Sequence, residues 1–184
     1  MTRLTFGRNN MNYKAGSMSQ IQFEEAIKTI EPGLYKHFKG NYYEVLCIAR
    51  HSETTEPMVV YRALYGDRGI WTRPAYMWNE TVEHDGQTVT RFRKLDPVER
   101  VSFYEELFDE VNASGGLRAS DSEANLSADF QTSDIGQKIQ MLDDYYTSGQ
   151  WLKDYEADEQ GLLSGDLKRG VLSQDALFDL LSGR

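Results

Sequence analysis

Between Gly33 and Phe92, short runs of β-branched, aromatic and aliphatic residues alternate with clusters of turn formers, and no other pattern in the chain limits its fold so tightly. Tyr42–Arg50 and Met58–Tyr65 read as two strands, joined by a polar connection of hairpin length from His51 to Pro57. Gly66-Asp67-Arg68-Gly69 reads as the next turn. Ile70–Met77 is a third strand, bent or ended near Pro74, which has no N–H for a ladder. Asp85-Gly86 is the strongest hairpin signal and lies between Thr81-Val82 and Thr88–Phe92. Such short antiparallel strands predict a small β-barrel or a curled sheet of SH3-like size.

Helical patterns lie on either side. Phe23, Ala26, Ile27 and Ile30 recur at helical spacing behind a capping-box pattern at Ser19 and Gln22, and Pro32-Gly33 stops the run. Asp96-Pro97-Val98-Glu99 supplies an N-cap, a first-turn proline and a capping-box glutamate. Val101, Tyr104, Phe108 and Val111 then form one apolar stripe. Ile135, Ile139, Leu142 and Tyr146 mark a further helix, Trp151–Glu159 another with Trp151, Leu152 and Tyr155 inward, and Ser173 caps a last one that buries Leu177, Leu180 and Leu181. Leu167 and Val171-Leu172 are apolar anchors before it.

The expected fold class is therefore α+β. A flexible leader covers residues 1–18, a small β domain with an N-terminal helix 19–96, a helix 97–111, a Ser-, Ala-, Gly- and Asp-rich linker 112–134 and an acidic helical module 135–184.

Charge is distributed unevenly along the 184 residues, whose net charge is −9. Residues 31–96 carry nine basic and nine acidic groups, whereas residues 97–184 carry seven basic against eighteen acidic. The acidic field of the second half disfavours duplex DNA as a partner of the whole chain and suits a basic protein partner. No apolar run reaches the roughly 20 residues that span a bilayer, so no membrane role is expected. The single Cys47 excludes an internal disulfide and a Cys-rich zinc site, which fits a reducing cytoplasm.

Two segments resemble known families. The motifs G-L-Y-K-H-F-K-G-N-Y-Y-E-V-L, A-R-H-S-E-T, V-V-Y-R-A-L-Y-G, W-T-R-P and V-x-x-D-G, in order from Gly33 to Phe92, resemble the bacterial family DUF 1653. Departures fall at Cys47, Trp78 and Thr90, and none of them removes a charged group. Tyr145–Leu181, with Y-Y-T-S-G-Q-W-L-K-D-Y-E-A-D-E-Q-G and D-L-K-R-G-V-L-S-Q-D-A-L-F-D-L-L, resembles the family DUF 4298, with Ser164-Gly165 in place of a common Pro-Lys. The first resemblance implies a compact, mainly β module; neither implies an activity or a cofactor.

The candidate binding residues are His37, Lys39, Tyr43, His51, Glu53, Tyr61, Trp71 and Arg73. They combine cationic donors and titratable groups with aromatic surface, a set that suits a small anionic or aromatic ligand such as a nucleotide or nucleobase. The same tyrosines and Trp71 equally suit a barrel core, and His51-Ser52-Glu53-Thr54 equally suits a self-bonded turn. Arg73 before Pro74 suits a pairing with a glutamate, and His84 beside the Asp85-Gly86 turn suits solvent.

In a catalytic reading His51 is a general base oriented by Glu53. No Gly-x-Ser-x-Gly elbow, P-loop or H-E-x-x-H is present, and the two histidines with Glu53 match no standard metal spacing. Asp154, Glu156, Asp158 and Glu159 lack the pattern of a calcium loop and read as a solvated acidic face. The expectation is a non-catalytic binding protein without a cofactor. A protein-interaction or inhibitor role for the acidic half stands second, and a small hydrolase using His51 and Glu53 third.

Overall fold

The computed structural model describes residues 15–115 and 131–182, with side chains from Gln20 onward. The chain divides into two units at Lys94 and Leu95.

In the first unit, helix α1 (Ala15–Thr29) precedes strands β1 (Gly33–His37), β2 (Tyr42–Arg50), β3 (Pro57–Ala63) and β4 (Ile70–Pro74). A one-turn helix α2 (Ala75–Trp78), the hairpin β5 (Thr81–His84) and β6 (Gln87–Thr90), and β7 (Phe92–Lys94) follow. The main sheet has the order β4-β3-β2-β1-β7, with every neighbouring pair antiparallel. β4 and β7 are its two edges, so the sheet is open and of the two sequence alternatives the curled sheet is the one that forms. β5 and β6 pair only with each other among the described residues. Asp85 and Gly86 turn that hairpin with φ of 51° and 74°, the double positive φ that an Asp-Gly pair accommodates.

Pro74 ends β4 as the sequence suggests, but Ala75–Trp78 turns into helix rather than extending the strand. This turn carries Trp78 onto the sheet, where it is fully buried. Its indole stacks on Phe92 at 3.9 Å and 4° and meets the rings of Tyr61 and Tyr35 at 5.0 and 5.4 Å. Ala26 and Ile30 of α1 complete this core with Val45, Val59 and Ala75. Burying several large rings on one sheet face supplies most of the driving force that so small a unit can collect.

The second unit contains α3 (Pro97–Ala113), α4 (Asp134–Thr147), α5 (Gln150–Glu159) and α6 (Gln174–Ser182). The capping box at Asp96 and Glu99 forms in both directions. The α3 stripe of Val101, Tyr104, Phe108 and Val111 is buried. Ser133 caps α4 through its side-chain oxygen, so the expected linker is helix or cap at both ends; its residues 116–130 lie outside the described ones. The leader is likewise helical from Ala15, and residues 1–14 lie outside the described ones.

In α5 the inward set differs from the expected one. Trp151 is buried and donates its indole N–H to the Val171 carbonyl at 2.9 Å. Leu152 is 50% exposed and Tyr155 37% exposed, while Asp154 is 1% exposed. Leu152 follows Trp151 by about 100° around the helix, so the two cannot share a face, whereas Asp154 at i+3 can. Asp154 is therefore not part of a solvated acidic face. Its carboxylate accepts from Arg100 Nε at 2.9 Å, Arg100 Nη2 at 2.5 Å, Tyr145 Oη at 2.9 Å and Gln150 Nε2 at 3.1 Å. Asp158 is also engaged, accepting from Arg169 Nε at 2.9 Å.

Candidate functional site

The strand register decides which of the eight candidate residues meet. Tyr35 pairs with Tyr43, Tyr43 with Ala63, Tyr61 with Trp71, and His37 with Phe92. Opposed residues of a ladder and alternate residues of a strand share a face. His37, Tyr43, Tyr61, Trp71 and Arg73 thus stand on one side of the sheet, the side that carries Trp78 and Phe92. Lys39 follows in the β1–β2 turn, exposed, with its ammonium 5.7 Å from the Phe38 ring centroid.

His51 and Glu53 do not join them. His37 is level with Asn41, whose carbonyl accepts its backbone N–H at 2.9 Å, whereas His51 follows the far end of the nine-residue β2. At about 3.3 Å per residue that is roughly 30 Å of strand. His51 Nδ1 accepts the backbone N–H groups of Glu53 and Thr54, both at 3.3 Å, so the self-bonded turn is the arrangement that forms. With Nδ1 occupied as an acceptor, the neutral imidazole carries its proton on Nε2, and neither nitrogen is left with a free lone pair. The Glu53 contact to this ring is through its backbone, not its carboxylate.

Within the shared face the rings are largely engaged with one another. Tyr61 is 8% exposed and belongs to the core. Tyr43 meets Tyr61, Tyr65 and Phe92 at centroid distances of 5.4 to 5.6 Å, each edge to face. Its hydroxyl lies 2.6 Å from that of Tyr65, a residue outside the eight candidates. Burial and this hydroxyl neighbour push Tyr43 up to about 12. Burial likewise pushes Tyr35 up to about 12. Trp71, on the edge strand, is 57% exposed and is the candidate ring with most open surface.

His37 and Arg73 meet around Phe92. The imidazole centroid is 4.8 Å from that of Phe92, and Arg73 Cζ stands 5.7 Å from the same ring. His37 Nδ1 accepts the Lys39 backbone N–H at 3.3 Å, which leaves Nε2–H of the neutral ring as a donor without an acceptor among the described residues. Burial, and then the charges of Arg91, Lys39 and Arg73, hold the His37 pKa below the usual histidine value. Arg91 is paired with Glu80. Arg73 has no hydrogen-bond acceptor and no ion-pair partner among the described residues, and its Nε is buried. The glutamate partner that suits Arg73 in the sequence is therefore not among them.

His84 is exposed, as its place beside the turn suggests, with its ring 5.0 Å from Phe38 and Nε2 3.6 Å from an Asp85 carboxylate oxygen. Phe38, Tyr65, Arg91 and Phe92 complete the surroundings of the candidate residues. Sequence patterns carried no signal for Phe92 and Arg91, because nothing local says that β7 returns beside β1.

Two clefts lie elsewhere. One of about 510 Å³ in the first unit is lined by Glu25, Thr29, Glu56, Pro57 and Tyr76 among others. One of about 480 Å³ in the helical unit is lined by Glu105, Glu106, Asp109, Asp166 and Lys168 among others. Neither includes any of the eight candidate residues. No group of three or more His, Cys, Asp or Glu among the described residues is placed to hold a metal ion. No helix among them is long and apolar enough to cross a membrane.

Comparison with known proteins places both units. Residues 33–94 match the model of a protein family of unknown function, DUF1653, and residues 122–184 that of a domain of unknown function, DUF4298. No curated protein matches. A crystal structure of a DUF1653 protein from Bordetella bronchiseptica is 39% identical, covering 38% of this chain and 91% of that one, with a TM-score of 0.36. The chain thus joins a DUF1653 module, which holds all eight candidate residues, to a DUF4298 module.

Proposed function

We propose that this is a cytoplasmic, non-catalytic binding protein whose DUF1653 unit holds a small anionic or aromatic ligand on the sheet face carrying His37, Tyr43, Trp71 and Arg73. The observation that supports it most is Arg73. A guanidinium with five donors stands beside an aromatic cluster, with its Nε buried and without an acceptor among the described residues. Buried donors in native proteins are nearly always satisfied, so an unsatisfied one suits an acceptor that the chain does not supply, a water, an ion or a ligand. Arg73 differs from another such donor, Trp78 Nε1, in standing outside the fully buried core. The positive surroundings of His37 act in the same direction. The exposed, free Cys47 suits a reducing compartment.

The test is a thermal-shift screen of the full chain against nucleotides, nucleosides and small metabolite anions. A ligand that binds only the native state raises the midpoint by mass action. The reading requires at least one such compound, with its effect lost in Arg73→Gln and kept in His51→Ala.

A second reading, a protein partner for the acidic helical unit, draws support from the charge of residues 97–184 and from the carboxylates lining its cleft. A basic partner recovered with the full chain, its binding weakened steeply by salt and by Glu106→Lys, would favour it.

A further inference from the structure

The reading of the sheet face as a binding site leaves open whether the ligand is gripped by its ring or by its charge. We infer, resting on that reading, that the group recognised is a compact oxyanion, received by the Arg73 guanidinium and the His37 Nε2–H, and not an aromatic ring stacked on tyrosine.

The engaged and free groups of the face differ in kind. The rings are committed to one another. Tyr61 is in the core, Tyr43 is held by three rings and a hydroxyl, and Phe92 has Trp78 flat against it. Tyr61 and Phe92 are buried and Tyr43 is half-buried with three rings against it, so these rings leave little surface for a base to stack on. Trp71 and Tyr65 have open surface, but Trp71 stands on the edge strand and Tyr65 is already engaged with Tyr43 through its ring and its hydroxyl.

The donors, by contrast, lack acceptors. Arg73 has none among the described residues, and His37 spends only its Nδ1 lone pair, on Lys39 N–H. Both groups are neighbours of the one Phe92 ring, at 4.8 and 5.7 Å. The charges acting on His37 are Arg91, Lys39 and Arg73, and Arg91 is the one of these already matched by a carboxylate. A planar guanidinium fork and a neutral imidazole donor, both against one Phe92 ring, are donor types that suit a phosphate or carboxylate. Its arrival would satisfy donors and offset a cationic excess in one step. A neutral ring would do neither.

The experiment uses the full chain, uniformly labelled with nitrogen-15, and three probes at matched ionic strength: inorganic phosphate, AMP and adenosine. The arginine Nε–H and imidazole nitrogen resonances are followed together with the thermal midpoint. Phosphate and AMP are expected to raise the midpoint and to move the Arg73 and His37 signals while His51 stays fixed; adenosine is expected to do nothing. Arg73→Gln should abolish the response, and Arg73→Lys, which keeps the charge but loses the fork, should weaken it at least tenfold. The wild-type spectra carry the test even if a variant folds poorly.

Adenosine acting as strongly as AMP, with phosphate inert, overturns the oxyanion assignment and leaves a ring-binding module standing. Silence from all three probes at millimolar concentration, with a hit elsewhere in the wider screen that ignores Arg73→Gln, also overturns it. Silence throughout both experiments removes the binding reading itself.

Discussion

His37 and His51 stand at opposite ends of strand β2, and each uses Nδ1 to accept the backbone N–H of the residue two places on. Their local roles are alike, but their surroundings are not. His37 is pressed among Phe38, Phe92 and three cationic groups, while His51 closes a polar hairpin loop. Only the first shares a face with Arg73.

The two imidazoles should therefore respond separately. His51→Ala removes an acceptor from two backbone donors that solvent can reach, so the loss should be about 0.5–1.5 kcal/mol in urea denaturation. The His37 ring signals and any phosphate response should be unchanged. A shift of the His37 resonances in this variant would show that the separation along β2 is wrong.

His37 also predicts a pH dependence. Its folded pKa lies below the ordinary value of 6.5. In the window between that value and the lower folded one, the unfolded chain binds more protons than the native chain, so stability falls as pH falls. Above the window the contribution is fully present. Protonation would also turn Nδ1 from an acceptor into a donor against Lys39 N–H. NMR titration should place the His37 transition below 6.5, and saturating phosphate should move it upward. A transition at or above the ordinary value would contradict the cationic surroundings.

Much of this fold was legible because its signals are local. Asp85-Gly86, Asp96-Pro97 and the α3 stripe each carry their own geometry, and each forms. The site was legible as residue types but not as a set. His37, Tyr43, Tyr61, Trp71 and Arg73 share a face through four ladder registers, and register is a property of pairs distant in sequence. Proximity in sequence grouped His51 with His37, and a nine-residue strand separates them. Asp154 is hidden in the sequence for a related reason: among acidic neighbours it looks solvated, and its partner Arg100 comes from another helix.

The loop that His51 closes contains a residue in an unfavourable conformation. Thr55 has φ of 61°, a region that costs a non-glycine residue about 1–2 kcal/mol and is least tolerated by β-branched side chains. Glycine removes that cost but gives part of it back through unfolded-state entropy. Thr55→Gly should therefore raise stability by about 0.5–1 kcal/mol, seen as a higher urea midpoint at unchanged slope. The neighbouring Thr54→Gly, without a positive φ to relieve, should lower it.

In the helical unit the Asp154 carboxylate is surrounded by donors from α3, α4 and α5: Arg100, Tyr145 and Gln150. Burial alone would lower the Arg100 pKa, but the hydrogen bonds and charge of Asp154 raise it above its ordinary value. Burial first and then the same carboxylate push the Tyr145 hydroxyl up. Removing one member strands the others in a dry environment. Asp154→Ala should cost about 3–5 kcal/mol, because it leaves a buried guanidinium without its counter-charge. Tyr145→Phe removes a single bond to a charged acceptor and should cost about 1.5–3 kcal/mol. Replacing both ions by apolar residues of similar size, Arg100→Met with Asp154→Leu, should cost less than Asp154→Ala alone. Urea denaturation of the three variants decides the matter. If the double variant is the least stable, the pair contributes net attraction beyond its desolvation; if it recovers most of the loss, the network chiefly fixes how the three helices meet.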